Sequence, residues 1–86
     1  PNTSWEHCDI RLRNPKPVYM GTHSETVEGF KCQKWSSQSP HKHSAGVNDW
    51  EFPDKDVESA SNYCRNPRNI EPAGPWCYTM RDLYSL

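Results

Sequence analysis

Apolar residues along this chain occur singly or in short clusters, and they sustain neither a heptad nor a helical spacing. Prolines at positions 1, 15, 17, 40, 53, 67, 72 and 75 interrupt the chain throughout. No segment between them is long enough to predict a helix. The stretches best suited to strands are short, around Phe30–Trp35 and Trp76–Met80. Arg11–Val18 carries two prolines among basic residues and asparagine and predicts a connector. Glu51–Ser61 is polar and predicts an exposed loop. The expected picture is many turns, little regular structure and an aromatic core around disulfides.

Composition sharpens that picture. With 86 residues the chain is one domain and buries only a modest fraction of its surface. Only 33% of its residues are hydrophobic, which taken alone suggests disorder. Four tryptophans, four tyrosines and four cysteines oppose that reading. Aromatic rings bury a large area per residue, and a disulfide closing a long loop stabilises by about 3–5 kcal/mol. A chain that needs such staples belongs in an oxidising compartment, so it is expected to be secreted or to be an extracellular part of a larger protein. The net charge of −1 gives no bias toward nucleic acid or a membrane surface. No apolar run approaches a spanning helix or a signal segment, and membrane insertion is not expected. Asn2-Thr3-Ser4 fits an N-glycosylation sequon, which makes Asn2 the candidate acceptor.

Three segments, taken in order, are more specific than composition. They are Gly29-Phe30-Lys31-Cys32-Gln33-Lys34-Trp35 running on to Ser39-Pro40-His41-Lys42-His43, then Asn62-Tyr63-Cys64-Arg65-Asn66-Pro67, then Pro75-Trp76-Cys77-Tyr78-Thr79. Together they closely resemble the kringle domain, and Tyr19-Met20-Gly21-Thr22 resembles its Tyr-Arg-Gly-Thr turn. The resemblance runs from Val18 to Thr79. It implies a small disulfide-rich fold, mostly loops with short antiparallel β-strand pairs, with Trp35, Tyr63 and Trp76 in the core. A kringle has six cysteines, paired first with sixth, second with fourth and third with fifth. Cys32, Cys64 and Cys77 match the second, third and fourth. Trp5-Glu6-His7-Cys8-Asp9-Ile10 resembles the Trp-Glu-Tyr-Cys-Asn/Asp-Ile stretch around the fifth. The resemblance therefore implies the bridges Cys8–Cys64 and Cys32–Cys77, with the first and sixth cysteines absent. It implies a circularly permuted kringle spanning 1–86, in which 11–18 joins the usual termini. A truncated ordinary kringle, in which Cys8 is the first cysteine, and a fragment of a tandem array stay open as alternatives.

Many kringles hold a lysine side chain in a shallow trough, with aromatic rings along its stem and a pair of carboxylates at its ammonium. The resemblance places Trp5, Trp76 and Tyr78 as the walls. Where the family carries Asp-X-Asp after Arg-Asn-Pro, this chain has Arg68 and Ile70, with Glu71 adjacent. Arg68 is expected either to repel an ammonium or to turn the trough toward an acidic side chain. The implied function is extracellular protein docking, with lysine side chains as candidate ligands. The rivals are a structural or signalling kringle of a receptor or growth factor, and a module for sulfated glycans using Lys31, Lys34 and Lys42 with Arg11, Arg13 and Lys16. His7 and His41-Lys42-His43 raise metal ligation, but the cysteines are better explained as disulfides and kringles commonly carry Pro-His-X-His as structure. No metal or cofactor is expected. No nucleophile elbow is present, and a loop-rich domain is a poor scaffold for a preorganised catalytic site, so the domain is expected not to be an enzyme.

Overall fold

Regular structure is sparse in the computed structural model, which describes residues 4–8 and 19–81. Strand β1 (Trp5–His7) pairs antiparallel with strand β2 (Trp76–Tyr78), setting Trp5 opposite Tyr78 and His7 opposite Trp76. The ladder extends past both ends: the Thr79 N–H donates to the Ser4 carbonyl (2.9 Å) and the Cys8 N–H to the Pro75 carbonyl (3.0 Å). The expected strand at Phe30–Trp35 is reduced to isolated bridges, Glu25 with Lys31 and Cys32 with Thr79. A turn closed by the Ser37 N–H on the Lys34 carbonyl (3.0 Å) diverts the chain before the pairing can continue.

The polar stretch 51–61 is not simply an exposed loop. A 3-10 turn at Asp49–Glu51 buries Glu51 and leads into buried Phe52. A single helical turn, α1 (Val57–Ala60), follows. Asp56 caps it by accepting the Ser59 N–H (2.7 Å), and Ala60 is fully buried. Average polarity conceals this because only one residue per turn faces inward. A second 3-10 turn, Pro67–Asn69, packs against the first.

Cys8 bonds Cys64 and Cys32 bonds Cys77, closing sequence separations of 56 and 45 residues. Loops of this length each contribute about 4 kcal/mol by chain entropy. The bridges touch, with the Cys32 and Cys64 sulfurs 3.9 Å apart. Beside them lies Trp35, only 1% exposed, with its ring meeting Phe52 at 5.3 Å, Trp76 at 5.2 Å and Tyr78 at 5.7 Å in edge-on geometry. Gly46 permits this packing. Its φ is +78°, and an added Cβ would lie 2.6 Å from the Trp35 ring. Tyr63 and Trp76, expected in the core, are half-buried at its margin. The Tyr63 carbonyl accepts the Trp35 indole N–H at 2.8 Å.

Much of the interior is polar, and its largest polar side chains are extensively hydrogen-bonded. Arg65 is 2% exposed. Its guanidinium donates two bonds to Asp54 (2.8 and 3.0 Å) and two to the Gly21 and Cys64 carbonyls (2.7 and 2.8 Å). Gln33 similarly ties down the 37–41 loop, donating to the Ser37 and His41 carbonyls and accepting the His41 N–H.

Removing one member of a buried ion pair strands the other charge, which typically costs about 3–5 kcal/mol. Asp54→Ala is expected to lower stability by about that amount, whereas Lys55→Ala on the exposed side of the same loop stays within about 0.5 kcal/mol of wild type. Urea melts of the oxidised proteins measure both. Equal midpoints for the two variants would refute the structural role given to Arg65.

Candidate ligand-binding trough

Successive side chains of a strand point to opposite faces. The register of β1 on β2 therefore puts Trp5, His7, Trp76 and Tyr78 on one face, while Cys77 turns inward to Cys32. Trp5 and Trp76 meet at 5.4 Å between ring centroids, and Trp76 and Tyr78 at 5.1 Å, both edge-on. These three rings, with Ile70 and Glu71, line an open trough of about 210 Å³. Trp76 is held from behind by Trp35 and by reciprocal backbone bonds with Arg65 (3.1 and 2.9 Å). Tyr78 stacks on His43 at 4.3 Å. Its hydroxyl is pushed above the usual tyrosine range, first by burial and then by the negative charge of Glu51.

One carboxylate edges the trough. The buried Asn66 side chain clamps the Glu71 backbone from both sides, donating to its carbonyl (2.8 Å) and accepting its N–H (3.1 Å). Glu71 Oε1 accepts the Ala73 N–H at 3.2 Å and stands 3.6 Å from His7 Nε2. Its other oxygen has no partner among the described residues. The rings of Trp5 and His7 meet edge-on at 5.2 Å, so this imidazole belongs to the same surface.

Arg68 does not line this trough itself but an adjoining depression of about 160 Å³ that shares Ile70 and Trp76 with it. Arg68 and Asn69 both have left-handed backbones (φ 63° and 56°), and the guanidinium turns toward Glu51 (Nε to Oε1, 3.1 Å) and over the Trp50 ring at 4.8 Å. Glu51 itself is almost wholly buried. Desolvation alone would raise its pKa. The backbone N–H groups of Gly46, Asn48 and Val47, together with Arg68, outweigh that and hold the carboxyl below its usual range.

The remaining candidate residues are dispersed. His41 is buried and its Nε2 meets the Arg81 carbonyl. Both ring nitrogens of His43 meet backbone carbonyls, of Ala45 at 2.8 Å and Ser37 at 2.9 Å. The four cysteine sulfurs lie within 4.8 Å of one another, and the two disulfides account for all of them. Lys31, Lys34 and Lys42 are exposed. Asn2, the 11–18 connector and with it Arg11, Arg13 and Lys16 lie outside the described residues. Sequence reasoning missed Asn66 and Ile70 as parts of the site, and it missed the pairing of His7 with Glu71. Only the histidine left a trace, standing where the family stretch has tyrosine.

The family model described as Kringle domain matches residues 13–86. Among the described residues, no helix is long and apolar enough to cross a membrane.

Because the folded Glu51 carboxyl titrates below its unfolded value, its stabilisation is complete above the unfolded carboxylate pKa and is lost as pH falls through the folded one. Glu51→Gln is expected to cost on the order of 2 kcal/mol at neutral pH. The gap to wild type should begin to narrow below the unfolded carboxylate pKa of about 4.3 and close as pH falls further, through the lowered folded value. Thermal melts across that range check this, and a gap that stays constant down to about pH 2 would contradict it.

Proposed function

This chain belongs to the kringle domain family, whose members are non-catalytic protein-binding modules, and on that premise we propose that it docks an extracellular protein partner by taking a lysine side chain into the Trp5–Trp76–Tyr78 trough. The observation that carries this reading is the juxtaposition of three aromatic walls with one carboxylate that has an uncommitted oxygen. The rings cover the methylene stem of a lysine, and their faces attract its ammonium. Glu71 supplies the charge-assisted acceptor that replaces lost water. Its backbone is fixed by Asn66, so little ordering remains for the ligand to impose. A single carboxylate, shared with His7, makes this a weak site in the millimolar range, suited to docking that gains strength from neighbouring domains.

The same reading treats the chain as a circularly permuted kringle, with Cys8 in the role of the family's fifth cysteine. Its support is that Cys8 bonds Cys64 and β1 pairs with the strand carrying Cys77, although both precede the span matched by the family. Moving residues 1–10 to follow Leu86 should leave the Cys8–Cys64 bridge and the fold intact, as read by peptide mapping of the oxidised protein. Loss of that bridge in a monomeric product would overturn the permuted register.

Titration with 6-aminohexanoate, followed by tryptophan fluorescence, is expected to saturate in the wild type and to be abolished by Trp76→Ala or Trp5→Ala. Glu71→Gln should weaken binding by about tenfold, the equivalent of about 1.4 kcal/mol. A wild type that shows no response up to tens of millimolar would end the lysine reading, as would an affinity indifferent to all three substitutions.

A further inference from the structure

His7 and Glu71 face each other at the edge of the trough without bonding. His7 Nε2 stands 3.6 Å from Glu71 Oε1, beyond hydrogen-bond reach. That nitrogen is shut off from solvent and has no hydrogen-bond partner among the described residues. A buried polar atom left unpaired is costly, and a proton on this one would find the carboxylate directly opposite. Both groups are held in place. The register against Trp76 and the edge-on contact with Trp5 (5.2 Å) set the imidazole, and Asn66 clamps the Glu71 backbone.

The other charges around His7 leave Glu71 as its counterpart. On β1, Glu6 points to the opposite face of the strand. β2 contributes only the Tyr78 hydroxyl, which is pushed above the usual tyrosine range. The 66–74 loop brings Glu71 and Arg68, and Arg68 is engaged by Glu51. The segment 24–28, whose Val27 N–H donates to the His7 carbonyl (3.0 Å), carries Glu25 and Glu28. Neither forms an ion pair with His7 among the described residues. A second imidazole, His43, stacks on Tyr78, with both ring nitrogens on backbone carbonyls.

We propose that His7 gates the trough by pH, an inference that rests on the lysine-docking reading above. The imidazolium pairs with Glu71 and repels an incoming ammonium. The neutral ring leaves the carboxylate to the ligand. Imidazole is the side chain that ordinarily changes charge between about pH 5 and 8. Proton and ligand therefore compete for Glu71, so docking strengthens as pH rises through that interval and is released in mild acid.

Titration with 6-aminohexanoate at about pH 8 and about pH 5.5 tests the gate, because the probe keeps both its charges at each. Wild-type affinity is expected to be at least about threefold higher at the upper pH, and a smaller ratio would overturn the proposal. His7→Phe keeps a ring against Trp5 but carries no charge, and its ratio should fall toward one. A ratio undiminished from wild type would assign the effect to His43 or another group and refute the gate. Reciprocity supplies a measurement on the wild type, which stands even if that variant fails to fold. Saturating 6-aminohexanoate should move the titration of the His7 ring resonances to lower pH, and a titration that stays put or rises contradicts the competition. The two readings fail differently. Saturation with equal affinity at both pH values removes the gate and leaves the docking, whereas no saturation at the upper pH removes both.

Discussion

The contact between the two disulfides is the constraint on which the rest of this molecule depends. Cys8–Cys64 and Cys32–Cys77 pass within 3.9 Å of each other, and all four cysteines are buried. Among the described residues only three pair in each strand and the longest helix is one turn, so backbone ladders there contribute little cooperative stability. Closing two long loops through one point supplies what the ladders lack. The same point sets the register of the sheet. Cys8 directly follows β1 and Cys77 sits in the middle of β2, so fixing both fixes which side of β2 faces out. With Cys77 turned inward, Trp76 and Tyr78 must turn outward beside Trp5. The trough is in this sense a by-product of how the core is stapled.

A chain with so few hydrophobic residues must also find other material for its interior. It uses polar side chains that bring several donors or acceptors to one place. Arg65 ties Asp54 to the Gly21 and Cys64 carbonyls, Gln33 ties the 37–41 loop, and Glu51 gathers three consecutive backbone N–H groups. Each replaces a hydrogen-bonded element that the sequence does not build, and each makes several hydrogen bonds, as burial of polar groups requires. These buried groups also shape the surface. Asn66, next to Arg65, clamps Glu71 at the trough, and Glu51 anchors Arg68 beside Trp50. Candidate binding residues on the exterior are thus oriented by polar residues one layer beneath them.

Several of these features were legible in the sequence. The aromatic and cysteine content against a polar background indicated a stapled, loop-rich domain, because no other source of stability was present in such a chain. The motifs around Cys32, Cys64 and Cys77 carried the family, since together they set bridges, a buried arginine and rings on the sheet face within a few adjacent residues. Trp5, Trp76 and Tyr78 could be nominated as trough walls on that basis, and the structure gathers them on one face of the sheet. What linear order could not convey was the strand at Trp5–His7, too short for any periodicity and paired with residues at the other end of the chain.

The sequence by itself determined the class of molecule and the residue types available at its surface, because these are properties of composition and local motif. Only the tertiary structure decided where the charges act. The Arg68 guanidinium lies over Trp50 and engages Glu51 beside a depression that adjoins the trough at Ile70 and Trp76, and the pairing of β1 with β2 brings His7 to within 3.6 Å of Glu71. Backbone conformation at a tight turn and contact across distant chain segments both depend on the folded context, and neither is encoded in neighbouring residues.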